Sequence, residues 1–212
     1  MANLKDLRQA LRANRRALSR RSQREHARLV ARLLRHENCY RRARRIAAYW
    51  PADGELDPRP LLKEALEDGK AVYLPVLSRR IGGRSRIKLS FVRWSADETM
   101  RLNRFDIPEP TRRGRHIRPA SHLDLILVPL VGFDGACNRI GMGGGYYDRT
   151  LAYLKLRRYW RRPRLIGVAH ECQRLAKIEA RPWDIPLDAV VTERQVYFKS
   201  RPERGLDPAK RR

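Results

Sequence analysis

Gly141-Met142-Gly143-Gly144-Gly145-Tyr146-Tyr147-Asp148-Arg149 is a stretch that core packing alone would not produce. Four of its first five residues are glycine. Glycine forfeits side-chain contacts and raises the entropy cost of ordering the backbone, so a folded chain keeps it where the main chain turns sharply or lies against a ligand. The apolar run Leu123 to Phe133 precedes the stretch, and Leu151, Leu154 and Leu156 follow it before Pro163. This order predicts strand, glycine loop and helix, an arrangement whose amides aim donors at an anion, most often phosphate. Neither common phosphate fingerprint fits. The Gly-Lys-Ser/Thr of a Walker loop is absent, and Tyr146 stands where the dinucleotide fingerprint needs glycine. A turn that merely links strand to helix rarely needs three consecutive glycines. Asp148 and Arg149 place a candidate magnesium ligand and a cation within one helical turn of the loop.

Outward from this loop the chain alternates strand and helix signals. Leu4, Leu7, Leu11 and Leu18 have helical spacing, with Lys5, Arg8, Arg12 and Arg15 on the other faces. Ser22 followed by Glu25 resembles a capping box and predicts a second helix with Leu29, Val30, Leu33 and Leu34 buried. Ile46 to Trp50 predicts a strand, Asp53-Gly54 a turn, and Asp57-Pro58 a capped helix start. Leu61, Leu62, Ala65 and Leu66 then face inward until Gly69 stops that helix. Ala71 to Val76 returns as a strand, completing a parallel crossover that puts loop 51–57 at the carboxyl edge of a sheet, where ligands of open α/β sheets bind.

Residues 79–86 predict a surface turn, and Ile87, Leu89 and Phe91 a half-buried antiparallel strand. Phe105 to Pro110 is held extended by its prolines, and 111–122 predicts a mobile basic loop. Leu123 to Val131 predicts a central strand buried on both faces, with further strands at Leu165 to Ala169 and Ala189 to Thr192. His170, Glu171 and Cys172 are adjacent, a poor spacing for a metal site, while His26 and His36 on a basic helix predict surface positions. The expected fold class is a single α/β/α domain of three layers around a mostly parallel sheet, spanning 1–198, with 199–212 as a flexible basic tail.

At 212 residues the chain can bury roughly 70% of its unfolded surface, enough for a core without disulfides. Cys39, Cys137 and Cys172 are odd in number and lack a Cys-x-x-Cys pair, which argues for a reducing cytoplasm. No apolar run approaches the ~18 residues of a membrane span, and the N-terminus lacks the pattern of a secretory leader. The net charge of +25, from 48 Lys plus Arg against 23 Asp plus Glu, attracts polyanions at low salt. The cations are spread along the whole length, from Arg15-Arg16 to Lys210-Arg211-Arg212, rather than gathered on one segment with aromatics. That pattern fits solvated surface with nonspecific nucleic-acid binding.

The motifs together resemble the 5-formyltetrahydrofolate cyclo-ligases, also called methenyltetrahydrofolate synthetases. The resemblance runs from the first helix to about Glu193. It rests on Lys5-x-x-Arg8, Asp53-Gly54-Glu55-Leu56-Asp57, Leu74-Pro75-Val76, Phe105-Asp106-Ile107-Pro108-Glu109-Pro110, Pro129 to Arg149 and Trp183-Asp184-Ile185-Pro186-Leu187-Asp188. It implies a monomeric cytoplasmic ligase that uses ATP as co-substrate and Mg2+ to convert 5-formyltetrahydrofolate, with or without a polyglutamate tail, to the 5,10-methenyl form. ADP and phosphate are the other products, and the formyl oxygen is phosphorylated on the way.

Carried over by position, the resemblance implies ATP contacts from Lys5, Arg8, Arg139, Gly141, Met142, Gly143, Gly144, Gly145, Tyr146 and Tyr147. It implies folate contacts from Ala52, Glu55, Asp57, Phe105, Met142, the Gly143–Gly145 run and Tyr146. Catalytic roles fall on Arg139, Tyr146 and Asp148, and magnesium ligation on Asp148 and Asp188. No protein nucleophile is required, since positioning and electrostatics supply most of the catalysis in phosphoryl transfer. Two rival readings keep the same scaffold: a basic RNA-associated protein, or a different ATP-dependent or sugar-phosphate enzyme.

Overall fold

Two amphipathic helices open the chain. The computed structural model describes residues 3–77, 88–112, 114–156 and 162–199. The turn expected over 79–86, Ile87 and the tail beyond 199 lie outside the described residues. Helix α1 (Leu4–Arg16) is capped by Asn3, whose side chain accepts from the Lys5 amide at 3.2 Å. Helix α2 (Arg20–His36) starts earlier than the Ser22-Glu25 pattern predicts, because Ser19 is the cap and its Oγ accepts from the Ser22 amide at 3.0 Å. The buried face of α2 is correspondingly Ala27, Val30, Ala31 and Leu34, with Leu29 turned outward at 37% exposure. Two alanines on the inner face let the helix approach the sheet closely, and a reading that counts only large side chains misses them.

A short helix α3 (Asn38–Arg41) leads to β1 (Arg45–Ala47), then α4 (Arg59–Glu67) and β2 (Ala71–Leu77). Gly69, at φ +72°, ends α4 as predicted. Helix α4 begins one residue after the expected Pro58, and Asp57 Oδ1 accepts from the Arg59 amide at 2.9 Å. Strand β3 (Leu89–Trp94) pairs antiparallel with β2, and β4 (Met100–Leu102) pairs with β5 (Pro108–Pro110) in a separate ribbon. The stretch 111–122, expected as a loose loop, instead carries β6 (Ile117–Arg118), which adds to the outer side of β3, and two single-turn 3-10 segments. Such an edge strand uses backbone pairing more than buried side chains, so its composition reads as loop.

Strand β7 (Leu125–Pro129) is buried along most of its length. A hairpin of β8 (Gly132–Phe133) and β9 (Arg139–Ile140) separates it from the glycine loop, and α5 (Tyr146–Leu151) follows. Strands β10 (Arg164–Val168), β11 (Ala189–Val191) and β12 (Val196–Phe198) complete the main sheet. Its order is β12-β11-β10-β7-β1-β2-β3-β6, with β11, β10, β7, β1 and β2 parallel and both margins antiparallel. This is the mostly parallel α/β sheet expected. Leu34 of α2 and Leu61 and Leu62 of α4 cover one face of it; Leu151 of α5, with Ile185 and Leu187, covers the other.

The chain steps one way from β1 to β2 and the other way from β7 to β10. The junction between β1 and β7 is therefore a topological switch point, which opens a crevice at the carboxyl ends of these strands. Loop 51–57 leaves β1 there, and the chain leaving β7 leads to the glycine loop. Helix α1 lies across the junction, its Leu11 packed with Val131 and Ile140. The packing of α2 is open to a direct test. Leu34→Ala should cost about 2–5 kcal/mol in denaturant unfolding, whereas Leu29→Ala should stay within about 0.5 kcal/mol; equal losses would contradict the inward face described.

Candidate active site

The glycine loop bends where side chains would not allow it. Gly143 and Gly145 have φ of +97° and +62°, and a Cβ on Gly144 would lie 2.7 Å from the Tyr146 ring. Met142, Gly143 and Gly144 are exposed. Among the described residues, none accepts a hydrogen bond from the amides of Met142, Gly143, Gly144 or Gly145. These donors gather at the start of α5. Arg8 of α1 reaches across to them, its Nε donating to the Gly141 carbonyl at 2.8 Å, with its guanidinium beside Gly143. Lys5 lies exposed one turn earlier on the same helix.

The other wall is loop 51–57. Asp53 and Gly54 are both left-handed, at φ +53° and +74°, and the tight turn packs Gly54 on the backbone of Arg15 and Arg16. The Asp53 carboxylate accepts from Arg12 Nε at 2.6 Å, from Arg15 Nη2 at 3.0 Å and from Arg16. Burial pushes the Asp53 carboxyl up, but the hydrogen bonds from Arg12 and Arg16 and the charge of Arg15 outweigh it and hold it below the usual range. Arg15 has no exposed surface and also donates to the Asp53 carbonyl at 2.9 Å and the Leu130 carbonyl at 3.2 Å. Spacing alone made Arg12 and Arg15 part of a solvated face. Their position three residues apart, opposite an Asp-Gly turn, was the available signal for this clamp.

Two residues on, Glu55 has a different environment. Its Oε2 accepts from the Ala52 amide at 3.2 Å, and Arg15 is 3.8 Å from Oε1. Burial dominates and pushes its carboxyl up to about 7. Tyr147 lies near Glu55; its hydroxyl is buried with no hydrogen-bond partner among the described residues, and burial raises the phenol well above its ordinary range. Asp57 is paired with the Arg59 side chain at 2.7 Å, and Arg59 lies over the Trp50 ring at 5.2 Å. Its carboxylate therefore serves the start of α4. Phe105, 50% exposed, meets Tyr146 edge-on at 6.1 Å. Arg104 lies over the Phe105 ring and donates to the Tyr146 hydroxyl, while Arg149 lies over the Tyr146 ring at 5.2 Å. Together these form an open aromatic wall beside the glycines.

Arg139, on β9, donates to Asp148 and to the Ile185 carbonyl, and Asp148 Oδ1 accepts from the Ile185 amide at 3.4 Å. The 183–187 segment is thereby drawn against the first turn of α5. Asp184 immediately precedes Ile185, and its Oδ2 accepts from the Arg181 amide at 2.8 Å. Asp188, the expected partner, is placed elsewhere. It precedes β11 on the amino edge of the sheet, where it accepts from Arg164 Nη1 at 2.9 Å and the Leu165 amide at 2.8 Å. Both carboxylates belong to the same Trp183-to-Asp188 motif, and sequence order did not reveal that Asp188 is engaged at the amino edge.

A crevice at a switch point, lined on one side by unengaged amides and an arginine and on the other by paired loops and aromatics, defines an α/β protein whose carboxyl edge is chemically suited to an anion. The chain belongs to the 5-formyltetrahydrofolate cyclo-ligase family, which it matches over residues 1–193. It is 38% identical over 187 residues to the 5-formyltetrahydrofolate cyclo-ligase of Escherichia coli K12, covering 88% of this chain and 98% of that one. The enzyme of the same name from Haemophilus influenzae is 38% identical over 149 residues, covering 69% and 74%. Among solved structures, Aquifex aeolicus 5,10-methenyltetrahydrofolate synthetase superposes with a TM-score of 0.79 at 29% identity, covering 98% of each chain. These relatives do not favour the RNA-associated reading. No helix among the described residues is long and apolar enough to cross a membrane.

The raised Glu55 carboxyl makes a signed prediction. Between its ordinary 4.5 and about 7 the folded chain holds a proton that the unfolded chain has lost, so its contribution to stability is full below that window and fades as pH rises through it. Glu55→Gln should therefore gain on the wild type between about pH 5 and pH 8, by on the order of 1–3 kcal/mol. Parallel denaturation curves for the two proteins would contradict the burial described.

Proposed function

We propose that this protein closes 5-formyltetrahydrofolate to 5,10-methenyltetrahydrofolate in the cytoplasm, with ATP as co-substrate and release of ADP and phosphate. The observation that carries this reading is the glycine loop: a row of unengaged amides at the carboxyl edge of the sheet, with Arg8 above it and loop 51–57 across from it. Three free cysteines, Cys39, Cys137 and Cys172, suit a reducing compartment.

In this reading the amides of 142–145 and the start of α5 hold the polyphosphate, with Arg8 and exposed Lys5 supplying positive charge from α1. Tyr146 and Phe105 offer flat faces to the folate rings. Glu55, its carboxyl pushed up to about 7, can donate as well as accept a hydrogen bond toward the substrate loop below that pH. The formyl oxygen attacks the terminal phosphorus and expels ADP. The second folate nitrogen then bonds to the formyl carbon and gives its proton to solvent or the departing phosphate, and the carbon–oxygen bond to phosphate breaks as the ring closes. The chain's part is to hold oxygen and phosphorus in line and exclude water from them.

The donor chemistry beside the loop fits magnesium: Asp148 offers hard carboxylate oxygens in the first turn of α5, where it meets the Ile185 amide, and Asp184 stands one residue before that contact. Bound there, magnesium would neutralise charge on the phosphates. Arg139 orients Asp148 and holds the 183–187 segment against it.

Purified protein given ATP, magnesium and 5-formyltetrahydrofolate should develop the near-ultraviolet absorbance of the methenyl product. Asp148→Asn should lower turnover by about 100-fold or more while shifting unfolding by no more than about 2 kcal/mol. Equal and modest losses in both would leave Asp148 a structural partner of Arg139, and no absorbance from folded wild-type protein would reject the activity.

A further inference from the structure

A second cluster of ligating atoms lies at the carboxyl edge, apart from Asp148 and Asp184. His26 of α2, His170 just past β10 and Glu193 just past β11 converge, their ligating atoms all within 4.8 Å of one another. The His26 and His170 Nδ1 atoms face each other at 2.9 Å, and His26 Nδ1 lies 3.6 Å from Glu193 Oε1. His170 has no exposed surface, and the His26 and Glu193 side chains are only 18% and 13% exposed. The sequence pattern placed His26 at the surface and offered His170 only Glu171 and Cys172 as neighbours; the fold supplies partners 144 and 23 residues away.

Without a cation the two neutral imidazoles share one hydrogen bond between their Nδ1 atoms. A cation bound there would replace that bond and take one ligand atom from each side chain, Nδ1 from both histidines and Oε1 from Glu193. Ligands about 2.0–2.1 Å from a tetrahedral zinc lie roughly 3.3–3.4 Å apart, between the two distances observed. The surroundings suit a dication. Glu193 keeps Oε1 available because its Oε2 accepts from the Glu171 amide at 3.0 Å. Glu171 is engaged by Thr192 and Tyr197. The cation acting on His170 from α1, Arg15, is answered by Asp53 at 3.0 Å and Glu55 at 3.8 Å.

We propose that His26, His170 and Glu193 form a binding site for one divalent transition-metal ion of the zinc class, which ties α2 to the ends of β10 and β11. Two imidazoles and one carboxylate favour such an ion over magnesium, which prefers an all-oxygen shell. The inference is independent of the folate reaction.

Metal-stripped full-length protein titrated with zinc chloride by calorimetry should bind one equivalent tightly. Its melting temperature should rise by on the order of 5–10 °C at a hundredfold excess over Kd, because the ion binds the folded chain alone. His26→Gln and Glu193→Gln should each weaken binding about tenfold or more, while a Cys39→Ser/Cys172→Ser double variant should bind as the wild type does. Cobalt(II) in the site should give visible bands without a thiolate charge-transfer band. That spectrum decides the matter if a histidine variant fails to fold. Absence of a tight site, unchanged binding in the two ligand variants, or a thiolate signature would each overturn the proposal.

Discussion

One carboxylate holds three arginines of one helix, and the position of the site follows from it. Asp53 receives Arg12, Arg15 and Arg16 from successive turns of α1 and fixes that helix across the gap between β1 and β7. The apolar contribution there is small: Leu11 against Val131 and Ile140, with Leu4 and Leu7 only partly buried. The ionic contact is more demanding, because a buried arginine tolerates no vacancy among its acceptors. Losing one member of such a group costs about 3–5 kcal/mol, although the intact group adds little net stability over an apolar equivalent. Its chief effect is specificity of placement. With Arg15 anchored, Arg8 lies two turns back along the same helix, over Gly141.

Asp53 and Glu55 show how strongly local partners govern two acids in one turn. Asp53 has three guanidinium groups and a lowered pKa; Glu55 has one cation at 3.8 Å, deeper burial and a raised one. Loop 51–57 thus presents a fixed anion toward α1 and an acid that readily stays neutral toward Tyr147. The first keeps the scaffold in place. The second leaves the crevice less negative than its sequence implies below about pH 7.

The features legible in the sequence were those whose physics is local. Three adjacent glycines, the β1-α4-β2 crossover with its Gly69 stop, and the apolar density of Leu125 to Pro129 each carry their cause within a few residues. The features that were missed depend on partners far along the chain. Strand β6 exists because β3 offers it an edge, and β12 because β11 does. Ser19 precedes α2 in a run that also contains Ser22, so composition did not separate the two caps. Asp184 and Asp188 share a motif, and only the folded chain shows that Ile185 between them meets Asp148 while Asp188 is held by Arg164 at the amino edge. The arginine excess was read as solvated surface. The fold lays Arg59, Arg104 and Arg149 over aromatic rings around the crevice and removes Arg15 from solvent entirely.

The margins of the main sheet are brief: β6 offers two residues and β12 three, with Arg118 on the first and Lys199 immediately after the second. A newly made chain could recruit a neighbour through such margins only by a few backbone bonds, and it would set like charges beside one another in doing so. A protein with many cations per molecule thereby gains resistance to fibrous self-association, a safeguard built into its outermost ribbons and unconnected with the chemistry at its centre.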